Sequence, residues 1–275
     1  MSYTDILFEK KDRTGIITLN RPEKLNAFTL TMGTEMREAI GEVESDPDMR
    51  ATIVTGAGRG FCSGADLGGG SRTFDGSNRP EPSAERQRET PGSTVKYYFS
   101  LKKPVIVAYN GPAVGVGASM TLPFDIRIAA ESARVGFVFN RRGVVAELAA
   151  PWILPRIVGI SRAAEILYTG RILNAQECLD FGLVSRVVPD DQLMPAALEL
   201  ADEIARNAAP VSVALTKKML YEFLAEPDVA KAEAVNHRYF GWSGQQADAR
   251  EGVMSFLEKR KPEWKLKVPD DMPDF

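Results

Sequence analysis

GAGRGFCSGADL, residues 56–67, is the stretch on which the reading of the fold turns. It follows the apolar run Ala51–Thr55 (ATIVT), which reads as a buried strand. Glycines at the end of such a strand let the backbone turn tightly and present its N–H groups. Two readings are open, an anion cradle or a plain glycine-rich turn. The register is not GxGxxG and no GK[ST] follows, so neither a dinucleotide fingerprint nor a P-loop is present.

Upstream, Ile6–Glu9 and Gly15–Asn20 read as strands on either side of a polar turn. Thr29 to Glu44 carries a helical pattern with Leu30, Met36, Ile40 and Val43 apolar. Downstream, Gly68–Gly92 is rich in Gly, Arg, Glu, Pro and Ser, and reads as a surface loop, with or without a role at a site. A second informative stretch, KPVIVAYNGPAVGVGASM (103–120), runs from a buried strand through Asn-Gly-Pro into small residues that open a helix. Unpaired N–H groups at a helix start are able to stabilise an oxyanion, but close helix–strand packing gives the same pattern. Asp125–Ala130 (DIRIAA) repeats the strand signal. Strands alternating with helices predict an α/β sheet. Beyond Asp190 only helices follow, over 191–207, 211–225, 229–241 and 245–261. Their apolar face, through Leu215, Met219, Phe223, Val253 and Phe256, predicts burial over the core or at a subunit interface.

The net charge of −3 argues against a nucleic-acid-coating protein. Two cysteines exclude a disulfide scaffold, and a lone histidine, His237, excludes any site needing two His ligands. With no secretory h-region and no apolar run of membrane-spanning length, a cytoplasmic protein is expected.

Together, GFCSGADL and KPVIVAYNGPAVGVG, with LNRPEKLNAF (19–28), DIRIAA, GRILNAQECLDFGL (170–183) and FLEKR (256–260), resemble the crotonase superfamily, the enoyl-CoA hydratase/isomerase family. The resemblance covers essentially the whole chain, with 68–92 as the variable part. It implies a spiral of repeated ββα units over 1–195 carrying the acyl-CoA site. A helical oligomerisation region, 196–275, would follow, in a homotrimer or dimer of trimers. It implies an acyl-CoA substrate, with coenzyme A as part of that substrate, and no permanently bound cofactor or metal. The shared chemistry is stabilisation of a thioester enolate by two backbone N–H groups, which match Ala65 and Val116 here. Valine stands where the family usually has glycine, which keeps the donor and narrows the space beside it. Losing one such donor costs roughly 3 kcal/mol of transition-state stabilisation. Lys24, Leu25 and Ala27 match the segment lining the coenzyme, Asp66 and Leu67 continue the wall, and Lys259 matches a basic residue near the nucleotide phosphates. A solvated charge is the alternative for Lys259.

The chain departs from the hydratases of this family at both of their glutamates. Ser119 occupies the first position and Phe139 the second. Phenylalanine cannot carry a proton, and serine is a poor base at neutral pH. Glu147 resembles the acid of isomerase relatives, and its apolar surroundings (144–153) predict desolvation and a raised pKa. A solvent-facing glutamate at the start of a helix over 148–158 is the other reading. Double-bond isomerisation by the single base Glu147 is therefore expected, ahead of hydration with Glu147 and Ser119 holding the water. A non-catalytic acyl-CoA-binding relative is the third class.

Overall fold

Residues 3–75 and 94–274 are described by the computed structural model. The chain opens with an antiparallel hairpin, β1 (Ile6–Lys11) and β2 (Thr14–Leu19), turned at Asp12 with φ 52°. Helix α1 (Leu30–Ser45) crosses to β3 (Ala51–Gly56). Helix α2 (Thr94–Phe99) then leads into β4 (Val105–Tyr109) and β5 (Pro112–Val114). A single helical turn, α3 (Val116–Ser119), precedes β6 (Ile126–Ala130) and β7 (Arg134–Gly136). Two helices, α4 (Ala150–Val158) and α5 (Ile160–Thr169), lead to β8 (Ile172–Asn174), α6 (Ala175–Asp180) and β9 (Arg186–Val188). Four helices finish the chain, α7 (Leu193–Asn207), α8 (Pro210–Glu222), α9 (Val229–Gly244) and α10 (Ala247–Leu257).

The strands divide between a six-stranded sheet, in the order β1-β2-β3-β4-β6-β9, and a three-stranded sheet, β5-β7-β8. From β4 to β7 the chain twice lays a strand in the large sheet and then one in the small sheet, and β8 adds to the small sheet before β9 completes the large one. This is the expected α/β spiral. The large sheet is parallel beyond β2 and buried on both faces, so its strands read as unbroken apolar runs. Val54, Val105, Val107 and Tyr109 face the main core, whereas Ile53, Ile106, Ala108 and Ile128 face α7. Ala197 and Ala201 give α7 a flat side for that contact, and the expected boundary after residue 195 falls inside this helix.

Helix α1 is fastened at both ends. Thr29 Oγ1 accepts the Met32 N–H at 2.9 Å, an N-cap worth about 1 kcal/mol. At the other end Lys103, almost wholly buried, donates to the carbonyls of Val43 (2.7 Å) and Asp46 (2.6 Å). Met36, Ile40 and Val43 are buried as the periodicity predicts, but Leu30 is exposed at the first helical position.

The apolar face expected on the C-terminal helices divides in two. Leu215 is buried against Val211, Tyr239 and Val268 within the chain, while Val253 and Phe256 stay 59% and 82% exposed. Of the segment read as a loop, Leu67–Arg72 forms a 3-10 turn, and residues 76–92 lie outside the described residues. Among the described residues no helix is long and apolar enough to cross a membrane.

Candidate active site

The two glycine-rich stretches of the sequence meet at one place, and their backbones fit there only because side chains are missing. A Cβ on Gly111 would stand 2.2 Å from the Arg59 carbonyl oxygen, and one on Gly117 would stand 2.3 Å from that of Cys62. Two asparagines then saturate the turn at 56–60. Asn26 Nδ2 donates to the carbonyls of Ala57 (2.9 Å) and Gly60 (2.8 Å), and Asn110 Nδ2 donates to that of Gly58 (3.0 Å). Asn110 Oδ1 accepts from the Gly56 N–H at 3.1 Å. A turn tied down in this way is a structural clamp and not an anion cradle.

Beyond the clamp, a parallel bridge pairs Cys62 with Ala113. Cys62 donates its N–H to the Pro112 carbonyl and accepts the Val114 N–H, each at 2.9 Å. Ala65 and Val116 each lie three residues beyond that pairing. A second parallel bridge, Phe28 with Ala65, engages the carbonyl of Gly64 and the N–H of Asp66. In a parallel pair this leaves the N–H of the bridging residue itself turned away. Gly115, at φ 58°, donates its N–H to Gly136, and Val116 then opens α3, where the first N–H has no intrahelical acceptor. Among the described residues neither the Ala65 nor the Val116 N–H has a protein acceptor. Because α3 is one turn long, its contribution is the local Val116 N–H and not a helix dipole.

Both residues line a cavity of about 1300 Å³, roomier than the ~300–1,000 Å³ of ordinary small-molecule sites. Glu147, Phe139, Lys24 and Asp66 lie on the same wall. Phe139, in the position of the second hydratase glutamate, is buried there. Asp66 Oδ2 accepts from Arg21 Nη2 at 2.9 Å, with Lys24 Nζ 3.6 Å away, and Oδ1 accepts from the Gly68 N–H at 3.0 Å. The Arg21 bond, followed by the Gly68 N–H, holds this carboxyl below the usual carboxylate range. Asp66 therefore braces the turn that carries Ala65. Cys62 is fully buried, and burial pushes its thiol up to about 11, so it is a packing residue and not a nucleophile.

Glu147 differs from its sequence reading in two respects. It is exposed on its side of the cavity, so burial of the apolar run does not desolvate it. The helix also begins at Ala150, after two consecutive left-handed residues, Leu148 (φ 52°) and Ala149 (φ 53°). Each costs about 1–3 kcal/mol for a residue with a Cβ. Carbonyl bonds hold the pair in place: Glu147 accepts from Ala150 N at 3.0 Å, and Ala149 from Trp152 and Ile153 N at 2.8 and 2.9 Å.

Several expected residues do not reach the wall. Ser119 is fully buried, with its Oγ 3.5 Å from the Val116 carbonyl, turned into the protein and away from any water in the cavity. Leu25 and Ala27 lie behind Lys24, where Leu25 O accepts the Ser63 N–H and Ala27 O accepts from Arg21. Leu67 is exposed beside the cavity, and Lys259 lies two residues beyond α10 without reaching the cavity of its own chain. The sequence reading missed Asn26 and Arg21. The Asn and Arg of LNRPEKLNAF were visible, but nothing local marks them as struts.

Residues 9–267 match the sequence model described as Enoyl-CoA hydratase/isomerase. Enoyl-CoA hydratase ACTT3 of Alternaria alternata is 40% identical over 255 residues, covering 91% of this chain and 82% of its own. The 1,2-epoxyphenylacetyl-CoA isomerase of Escherichia coli is 36% identical over 250 residues, 90% of this chain and 93% of its own. The crystal structure of a probable enoyl-CoA hydratase/isomerase from Mycobacterium abscessus superposes with a TM-score of 0.85 at 35% identity, covering 94% of this chain and 98% of that one.

Proposed function

Since the chain belongs to the enoyl-CoA hydratase/isomerase family and is an enzyme acting on CoA thioesters, we propose that it moves the double bond of an enoyl-CoA, with Glu147 as the one proton carrier. The observation that carries this reading is a single cavity lined by Glu147, by two backbone N–H groups without protein acceptors, and by Phe139 where a second acid would be needed for hydration. Of the other carboxylates on that wall, Asp66 is engaged by Arg21, and Glu38, exposed like Glu147, sits mid-helix in α1 without the strained turn that fixes residue 147.

The chemistry balances with these groups. Glu147 takes a proton from C2 of a 3-enoyl-CoA, and the electron pair spreads onto the thioester oxygen. The Ala65 and Val116 N–H groups hold that oxyanion. The same carboxyl returns the proton to C4, leaving the 2-enoyl-CoA. The strained pair Leu148–Ala149 supports a positioned base, because such strain persists only where the surrounding structure fixes it. Lys24 stands at the coenzyme side, and Lys259 is read as reaching a neighbouring subunit's coenzyme phosphates.

The product decides the reaction. Incubation with 3-enoyl-CoA is expected to give an isobaric 2-enoyl-CoA, resolved by chromatography. A product heavier by one water from 2-enoyl-CoA would replace the reading with hydration, the activity for which the Alternaria relative is named.

Assembly belongs to the same proposal. Phe240, Val253, Phe256 and Leu257 are 59–82% exposed on α9 and α10, more apolar surface than a free helical face carries in water. A homotrimer or dimer of trimers is expected by light scattering at micromolar concentration, and a monomer there would reject it.

A further inference from the structure

Five side chains on the cavity wall are buried: Met36, Tyr98, Val116, Met120 and Phe139. Four present hydrocarbon or thioether, and the Tyr98 hydroxyl is the one hydrogen-bonding group among them. Four other tyrosine hydroxyls of the described chain, including every other one on the cavity wall, have partners on the protein. Tyr3 donates to Glu42 at 2.7 Å, Tyr221 to Asp125 at 2.9 Å and Tyr97 to the Arg37 carbonyl at 3.3 Å, while Tyr109 pairs with Thr121. Tyr98 is only 5% exposed, and among the described residues its hydroxyl has no protein partner.

The ring has no freedom to find one. Tyr98 and Val95 occupy the buried face of α2, one helical turn apart. Phe124 meets the Tyr98 ring edge-on at 4.9 Å between centroids, and Tyr97 packs against it at 5.4 Å. Phenylalanine would make the same contacts, so the hydroxyl adds nothing to the packing. A buried phenol ordinarily finds a partner, and here the remaining source is whatever fills the cavity.

We propose that Tyr98 donates a hydrogen bond to an oxygen carried on the acyl group of the substrate, a hydroxyl, carbonyl or epoxide oxygen. The cavity would then select oxygenated acyl chains over plain alkyl chains. This inference rests on the acyl-CoA reading of the cavity and specifies its substrate class. Burial raises the Tyr98 phenol above its ordinary value, which keeps it protonated and donating at neutral pH.

The test is calorimetric binding of hexanoyl-CoA and of its chain-hydroxylated isomers, from C3 to C6, to the wild type and to Tyr98→Phe. At least one hydroxylated isomer is expected to bind the wild type about tenfold or more tightly than hexanoyl-CoA. Tyr98→Phe should erase that preference and leave hexanoyl-CoA binding unchanged, which also reports that the variant is folded. The proposal is overturned if no isomer is preferred, if the preference survives in Tyr98→Phe, or if the variant weakens every ligand equally. Should hexanoyl-CoA itself fail to bind the wild type, the acyl-CoA reading falls first and this inference with it.

Discussion

Glu147→Gln is expected to lower isomerase turnover by about a hundredfold or more while acyl-CoA affinity stays near that of the wild type. Glutamine keeps the size of the side chain and its capacity to hydrogen-bond, and removes the ability to accept a proton. The backbone that aims residue 147 is set by Leu148 and Ala149, so the exchange leaves the turn intact. The effect should fall on kcat, because proton transfer is made only on the way through the enolate. Ser119→Ala is the control. Its Oγ is buried and turned to the Val116 carbonyl, so turnover should stay close to wild type. Full activity in Glu147→Gln, or collapse in Ser119→Ala, would require a different proton carrier.

Gly117→Ala is expected to lower both stability and turnover. The added Cβ would stand 2.3 Å from the Cys62 oxygen and 2.8 Å from its Cβ. That oxygen cannot retreat, since it accepts the Val114 N–H within the Cys62–Ala113 bridge. The first turn of α3 has to move instead, and Val116 moves with it. Overpacking of this kind costs about 1–3 kcal/mol, and loss of one oxyanion donor costs about 10²–10³ in kcat. Gly41→Ala is the matched comparison, because its Cβ meets nothing within 4 Å inside α1. It should be neutral or stabilising, by up to about 1 kcal/mol. Thermal melts and kcat on both variants check the pair. A wild-type melt and turnover in Gly117→Ala would show that this contact does not set the site.

Much of this was legible in the sequence, for physical reasons. Strands buried on both faces write themselves as apolar runs, and ATIVT, PVIVAYN and DIRIAA fell within a residue or two of β3, β4 and β6. The three-residue strands β5, β7, β8 and β9 are too short to carry a period, and they exist because the spiral brings them to their sheets. Ala65 and Val116 came from motif resemblance, since a backbone donor has no side-chain signature. The orientation of Ser119 was beyond reach because one helical turn offers every direction. Glu147 misled through its neighbours. Val144 to Ile153 is apolar in sequence, yet Val145 is 83% exposed because the segment is a turn before the helix. Tyr98 left a faint signal, a tyrosine one helical turn from Val95 on the buried side of α2.

The Cys62–Ala113 pairing has a consequence for how such a protein can be altered. The two donors are fixed by where one strand stands against another, and the length of chain between them does not enter. Chain inserted between Thr73 and Thr94 leaves that pairing and the buried face of α2, Val95 and Tyr98, as they are, and each doubling of a flexible connection costs only about 0.6 kcal/mol. Recognition and reaction are thereby inherited separately. A designer could exchange Tyr98 and its cavity neighbours on α2, Thr94 and Tyr97, to change what is bound, and read success as altered acyl preference at unaltered chemistry. The same pairing marks where not to cut, since a one-residue slip at Cys62 would part the donors without removing either.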